Sequence, residues 1–405
     1  MNDTSSWSGT VSIWAVLTAL VLVAAMVALA RHQLARLRIL GGDPIVGEPG
    51  LPDTSAAPEH DLSELSIVVP ARNEAASIPA LLASLAPSSS SLADLLVVDD
   101  GSSDGTAELA RAGGARVLTA PVPPDGWTGK SWACHLGAGA TAGRLLLFLD
   151  ADTVLAEGAL PALLELHRQD RGLLSVQPHH RPVHAYEHLS SYFNLVSLMG
   201  SGLFARRPPT TPMAFGPCLL TTRDDYAAAG GHEGIRAEIL DDAQLAAAYG
   251  RTGLPVSCVV GGAAVAMRMY PGGLRQLLEG WTKNFASGAT QADRRSSVAA
   301  ALWVACHAAV AGASASALVD ALSAATAASW WLVAVWLGAW AATAAHLRHE
   351  LRRIGSFRWW TWVLFPLPLA VFGLVFVRSL VLTHVLGTVR WRGRDVTLGR
   401  RLRSP

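Results

Sequence analysis

The chain has 405 residues, room for more than one domain, and its 51% hydrophobic share against 16% charged residues points toward membrane association. A near balance of 32 basic and 31 acidic residues, formal net charge +1, gives nothing that suggests a nucleic-acid partner. Cys134, Cys218, Cys258 and Cys306 are scattered without C-x-x-C spacing, which predicts reduced, mostly buried thiols in a cytosol-facing protein.

Val11 to Ala30 is an apolar run about long enough to cross ~30 Å of hydrocarbon as a helix. Asp3 precedes it and Arg31, Arg36 and Arg38 follow at once. That charge order places the downstream side in the cytoplasm and argues for an uncleaved anchor over a signal peptide. Gly41 to Glu59, rich in Gly, Pro and acidic residues, reads as a linker, so a soluble unit is expected from about Glu64.

From there short apolar runs alternate with helical patterns. Strands are predicted over Leu65–Val69, Leu95–Val98, Arg116–Thr119 and Leu145–Leu149, and helices over Ser77–Leu85, Ala107–Gly113 and Lys130–Ala142. Such alternation implies a parallel, doubly wound α/β sheet, whose ligands bind beyond the carboxyl ends of its strands. PARNE (Pro70–Glu74), DDGSSDGT (Asp99–Thr106) and DADT (Asp150–Thr153) each follow a strand and should share one crevice. Alternation along a strand turns Asp150 and Asp152 to the same side. Two carboxylates that close need a cation, a proton or a basic partner between them, and a hard divalent ion takes oxygen ligands while leaving positions for phosphates. For an isolated D-x-D, a strand stopping at a solvated Asp turn is the plainer alternative.

As a set, SIVVPARNE, VVDDGSSDGT, GK followed by AGRLLLFLDAD, and the later DDAQL resemble the inverting family 2 glycosyltransferases of GT-A fold, over roughly Glu64 to Gly288. The resemblance implies a nucleotide-sugar site in which Pro70, Ala71, Arg72, Glu74 and Asp100 surround uracil and ribose, with Asp99 beside them. Asp150 and Ala151 would meet the diphosphate, and Asp152 with Asp150 would hold Mg²⁺ or Mn²⁺. Asp242 matches the family's base position, and Asp241 stands where the family usually has Glu, so which of the two acts stays open. Helix capping by both is the structural alternative.

Weaker signals surround this set. GWTGKSW contains G-K-S, but Pro124 occupies the glycine position that a P-loop requires, so Lys130 is read as a diphosphate contact. HAYEH (His184–His188) has the form of a zinc-peptidase motif without an evident third ligand, and Tyr186 to Phe204 reads as an amphipathic, membrane-facing helix. Arg268 is a candidate phosphate contact, and His232, Trp281 and Lys283 are candidates for the acceptor region, with an interfacial Trp-Lys anchor as an equal alternative for the last two. Q-x-x-R-W is missing near GWTKNFASG, which favours transfer of one sugar over polymer synthesis.

After Ser297, Val298–Leu318 and Ala321–Ala345 form a plausible membrane hairpin, with Arg348, Arg352, Arg353 and Arg358 holding the next loop inside. Trp359–Leu386 contains Pro366 and Pro368 and precedes Arg390, Arg392, Arg394, Arg400, Arg401 and Arg403. A re-entrant or interfacial hairpin with a cytoplasmic tail is expected there, and a fourth full span is the alternative. The expected organisation is therefore an anchor at 1–38, a linker at 39–63, a GT-A domain at 64–288, a membrane region at 289–390 and a basic tail at 391–405.

GWTGKSWACHLGA, SVQPHH, AYEHLS and GWTKN look most like the bacterial 4,4'-diaponeurosporenoate and hopene-associated glycosyltransferases. That likeness implies a multi-pass plasma-membrane enzyme with a cytoplasmic active site, moving one sugar, UDP-glucose being the expected source, to a terpenoid lipid such as a carotenoic acid drawn from the bilayer. Polyprenyl, hopanoid or glycerolipid acceptors are the alternatives. A non-catalytic transporter or scaffold is disfavoured, because the acidic positions are all retained.

Overall fold

In this computed structural model the described residues are 4–42, 62–236, 241–288, 293–324, 326–382, 388–391 and 394–397. Most of the expected linker and of the basic tail lies outside them, as do Glu238 to Leu240 just before the Asp241–Asp242 pair.

Helix α1 (Thr4–Gln33) contains the expected first span, and its apolar part from Ile13 to Gln33 is long enough to cross a membrane. The α/β unit follows: β1 (Leu65–Ala71), α2 (Ile78–Leu85), β2 (Asp94–Asp99), α3 (Thr106–Ala112), β3 (Arg116–Thr119), α4 (Gly129–Ala140), β4 (Leu145–Leu149), β5 (Thr153–Leu155), α5 (Ala159–Asp170), β6 (Leu173–Gln177) and β7 (His179–His180). Next come α6 (Ser191–Ser201), β8 (Cys218–Thr222), α7 (Arg223–Ala228), α8 (Asp241–Arg251), β9 (Val256–Val260), β10 (Val265–Met267) and α9 (Leu274–Gly288).

The main sheet has seven strands in the order β3-β2-β1-β4-β8-β6-β9, parallel throughout except for β8, which runs antiparallel to β4 and β6. The doubly wound, mostly parallel GT-A arrangement expected from the sequence is the one found; the antiparallel strand is additional. Its continuous apolar strands follow from burial on both faces. In β1 the pleat sends Ile67 and Val69 toward Leu81, Leu147 and Leu163, and Val68 toward Leu146, Phe148, Leu219 and Tyr249, all buried. Each such side chain contributes about 1.5–3 kcal/mol by leaving water.

A second, three-stranded sheet runs β5-β10-β7, and His180 of β7 makes a further parallel bridge to Gly355. Gly355 ends α11 (Ala327–Ile354), which with α1 and α10 (Arg294–Ala324) makes, among the described residues, three helices long and apolar enough to cross a membrane. The expected hairpin is present: α10 is longer at both ends than the sequence pattern marked, while α11 starts later and runs further at its C-terminal end. Ile13, Leu20, Leu302, Val319, Trp331 and Leu337 point outward from these helices and are exposed.

One expectation needs correction. The Tyr186–Phe204 region does not present its apolar stripe to lipid: α6 buries Tyr192, Phe193, Leu195, Leu198 and Met199 in one cluster with Met26, Trp303 and Trp336 of the three long apolar helices and Phe372 of a later helix. Its apolar stripe is a docking surface for protein. The described part of the Trp359–Leu386 stretch, up to residue 382, forms a short helix, α12 (Trp360–Val363), and α13 (Pro366–Val381), with Pro366 at a helix start, where its missing N–H costs nothing. At 16 residues α13 is about 24 Å long, short of a full crossing.

Candidate active site

The carboxyl ends of β1, β2 and β4 bring the three acidic segments together. PARNE and DDGSSDGT are stitched by hydrogen bonds: Asn73 N–H donates to Ser102 Oγ (2.9 Å), Ser103 N–H to Asn73 Oδ1 (2.9 Å), Glu74 N–H to Thr106 Oγ1 (2.8 Å) and Ala75 N–H to Asp104 Oδ2 (3.1 Å). Asn73 takes a left-handed φ of 54° to make this turn, a conformation that Asn tolerates better than most residues. Arg72 Nη1 reaches Asp100 Oδ2 at 3.1 Å, and Asp100 N–H donates to Ala71 O at 2.9 Å. Asp99 is buried and accepts from Ser102 N–H at 3.2 Å, so its carboxylate closes the turn.

Helix α4 starts against these loops. Thr128 caps it by accepting from Ser131 N–H, and any Cβ on Gly129 would collide with Asp100 Oδ2. Only glycine allows the Asp100 carboxylate so close to a helix N-terminus, where the peptide dipoles favour negative charge. One residue on, Lys130 Nζ meets Asp150 Oδ1 at 2.7 Å. Burial works against the lysine's charge, yet the carboxylates of Asp150 and Asp241 raise its pKa well above the ordinary value.

Asp150 and Asp152 follow the end of β4, and their carboxylates are close enough to interact. Burial, then the charges of Asp150 and Glu74, push the Asp152 carboxyl up to about 7. Asp152, Glu74 and Asn73 line a cleft of about 330 Å³ whose opposite wall is Met269, Tyr270, Pro271, Gly272 and Gln276. That wall escaped the sequence reasoning apart from neighbouring Arg268; its available signal was RMYPGG, where the structure holds Tyr270 at a strained φ of 58°.

Asp241 and Asp242 open α8, as the helix-start pattern predicts. With Lys130, Asp150, Pro70, Gly216 and His232 they line a smaller cavity of about 10 Å³. Burial, then the Asp241 charge, pushes the Asp242 carboxyl up to about 6. Gly216 fits tightly against Asp242, since a Cβ there would sit 3.1 Å from Oδ2.

Other candidates lie elsewhere. The Arg268 guanidinium is engaged by Glu187 at 2.6 Å, so it is held by the E of HAYEH while its backbone N–H faces Asp152 O at 3.4 Å. His188 Nδ1 accepts from Arg358 N–H and His184 stacks on Tyr186, so the motif's three side chains face different partners. Trp281 is buried, stacked on Phe193 at 5.0 Å, and its indole N–H donates to Ser190 Oγ at 3.0 Å; it neither lines an open entrance nor anchors in an interface. Lys283 is half-buried on the same helix.

The chain meets known proteins at several levels. The family model described as Glycosyl transferase family 2 matches residues 66–228. The 4,4'-diaponeurosporenoate glycosyltransferase of Staphylococcus haemolyticus (strain JCSC1435) is 35% identical over 342 residues, 82% of this chain and 88% of that protein. Its counterpart in Staphylococcus aureus (strain MRSA252) is 35% identical over 343 residues, 83% of this chain and 89% of its own. A crystal structure of glucosyl-3-phosphoglycerate synthase from Mycobacterium tuberculosis in complex with Mg²⁺ and uridine-diphosphate aligns with 56% of this chain and 78% of that one, at 23% identity and a TM-score of 0.40.

Proposed function

The chain belongs to glycosyl transferase family 2, and from that premise we propose that it moves one sugar from a nucleotide-sugar, UDP-glucose, to the carboxylate of a terpenoid acid such as a carotenoic acid. The acceptor class follows the name carried by the relatives above. The observation that carries the rest is the convergence of Lys130, Asp150, Asp241 and Asp242 on one small cavity, with Asp152 and Glu74 on the adjoining cleft. A cleft of that size suits the nucleoside diphosphate part of the sugar nucleotide.

The residues fit a divalent cation. Asp150 and Asp152 offer only oxygen donors, and the crowding of Asp152 by two other carboxylates is the excess negative charge a cation would relieve. Among the described residues no set of three or more His, Cys, Asp and Glu could hold a metal alone, so substrate oxygens and water would complete the shell, as suits Mg²⁺ or Mn²⁺. When bound, such an ion supplies charge stabilisation to the departing diphosphate.

The protein's own groups do the rest. Arg72, Asp100 and Glu74 hold the nucleoside, and Lys130 carries positive charge beside Asp150 where the diphosphate is expected. An acceptor oxygen attacks the anomeric carbon from the face opposite the leaving group; the new C–O bond forms as the bond to the diphosphate breaks, inverting the centre. A carboxylate acceptor brings no proton. For a hydroxyl acceptor, on a polyprenyl, hopanoid or glycerolipid, Asp242 takes the proton, and its raised pKa suits that task.

Three long apolar helices support membrane attachment with the acceptor arriving from the bilayer. The α13 length favours an interfacial or re-entrant element over a fourth span, which keeps the tail on the side of the catalytic domain, the cytoplasm by the arginine pattern. The test incubates membranes containing the protein with labelled UDP-glucose and a carotenoic acid, then identifies the labelled lipid. An alkali-labile glycosyl ester is expected. Label recovered only in lipids lacking a carboxyl group would overturn the acceptor assignment.

A further inference from the structure

His232 lies beyond the residues 66–228 matched by the family model, in the turn between α7 and α8. It is buried, edge-on to the Phe148 ring with centroids 5.1 Å apart, and lines the small cavity with Asp241, Asp242 and Lys130. Its hydrogen bonds fix which ring nitrogen carries the proton. Tyr226 OH accepts from the backbone N–H of His232 at 3.0 Å and lies 2.8 Å from Nδ1. Were Nδ1 the donor, the phenol proton would be buried without an acceptor, since among the described residues the hydroxyl has no other partner. A buried hydroxyl proton seeks one. Tyr226 therefore donates to Nδ1, and the imidazole proton sits on Nε2.

Burial pushes His232 down to about 4, so the ring stays neutral at physiological pH despite the Asp241 charge near it. Among the described residues Nε2 has no hydrogen-bond partner. The cavity it lines has a volume of about 10 Å³, close to what seats a single oxygen-sized group. Its wall carries both halves of what a hydroxyl requires: N–H groups of His232 and Lys130 for its lone pairs, and carboxylates for its proton. An ordered water has the same needs, but the cavity adjoins Asp150 and the carboxylate pair, where the reacting sugar must sit if the function proposed above holds.

We propose that this cavity is the seat of one hydroxyl of the transferred sugar, with His232 Nε2–H donating to its oxygen and Asp241 accepting its proton, so that His232 and Tyr226 take part in choosing the sugar. This rests on the nucleotide-sugar reading given above.

The test measures kcat/KM for UDP-glucose and its 2-, 3-, 4- and 6-deoxyglucose analogues in wild type, His232→Phe, His232→Gln and Tyr226→Phe. Phe keeps the packing on Phe148 and removes the N–H; Gln can restore a donor near Nε2; Tyr226→Phe keeps the volume and releases the tautomer. His232→Phe should lower kcat/KM for UDP-glucose roughly tenfold or more, as expected for one lost hydrogen bond to a substrate. Gln should recover part of the loss. For the one analogue lacking the seated hydroxyl, wild type and His232→Phe should be equal, and Tyr226→Phe should show the same selectivity in weaker form. Unchanged UDP affinity verifies the folded site, and if His232→Phe does not fold, the Tyr226→Phe series decides alone. Equal losses across all analogues would assign the cavity to a bound water and overturn the proposal, as would no loss at all. A wild type that accepts no nucleotide-sugar would instead refute the function on which it rests.

Discussion

Replacing Asp152 by Asn should make the protein more stable while abolishing its proposed metal-dependent chemistry. The carboxyl of Asp152 is pushed up to about 7 from an ordinary 3.8, by burial first and by Asp150 and Glu74 next. A folded value above the unfolded one means that the folded state keeps a proton the unfolded state has already lost. This group's contribution therefore weakens stability as pH rises from about 4 through about 7, and the destabilisation is complete above that. The gap sets an upper bound of roughly 4 kcal/mol, and because Asp152 is only partly buried by surface area, about 1–2 kcal/mol is the expected gain from Asn at pH 8.5. Thermal unfolding of the detergent-solubilised protein in EDTA measures it. Asp152→Asn should unfold a few degrees above wild type at pH 8.5 and coincide with it near pH 4. Adding Mn²⁺ and UDP should raise wild type and leave the variant in place. Equal midpoints at pH 8.5, or a variant less stable than wild type there, would refute the claim that the carboxylates strain the apo site.

Asp242→Asn should cost roughly 10²–10⁴ in single-turnover rate with a hydroxyl acceptor and far less with an ionised acid, and the wild-type rate on a hydroxyl acceptor should rise with pH through about 6. A thousandfold loss on the carotenoic acid near pH 8 would count against the carboxylate acceptor. Gly129→Ala forces a Cβ into Asp100 Oδ2, so UDP affinity should fall by roughly tenfold in a folded protein, read by titration; unchanged affinity would remove Asp100 from the nucleoside site. Trp281→Ala should destabilise by about 3–5 kcal/mol through the lost stack on Phe193 and the orphaned Ser190 hydroxyl. A variant of normal stability with a raised KM for lipid would return Trp281 to the acceptor site.

The acidic motifs were legible because their meaning is local. A short apolar run followed at once by PARNE, DDGSSDGT or DAD places those residues at a strand's carboxyl end whatever the rest of the chain does. The pair at the start of α8 was legible for the same reason. What the sequence could not supply was the opposite wall of each cavity. His232 was marked only as an acceptor-region candidate, and Gly216, Tyr226 and Tyr270 were not marked as site residues, since they owe their positions to β8 and β10, strands of five and three residues whose pairing partners lie far away in the chain. The antiparallel course of β8 leaves no periodic trace, since a strand buried on both faces reads alike in either direction. Ser77 shows the limit at finer scale: a capping residue by type, it makes no side-chain cap.

The membrane part was misread where an apolar stripe has two possible partners. Periodicity in α6 marks a face that must leave water but does not say whether lipid or protein covers it. Packing decides: Tyr192 and Phe193 meet Trp303, Trp281 and Phe372, joining the catalytic unit to the helices in one core. The same union runs through the backbone. Gly355 at the end of α11 bridges to His180, His180 pairs with Met267, and Met267 pairs with Thr153, the residue after Asp152. Hydrogen-bonded strands resist sliding by less than a full register step, because a one-residue slip would turn every side chain to the wrong face. A shift of the α10–α11 hairpin is therefore carried along this ladder to the segment that bears Asp152.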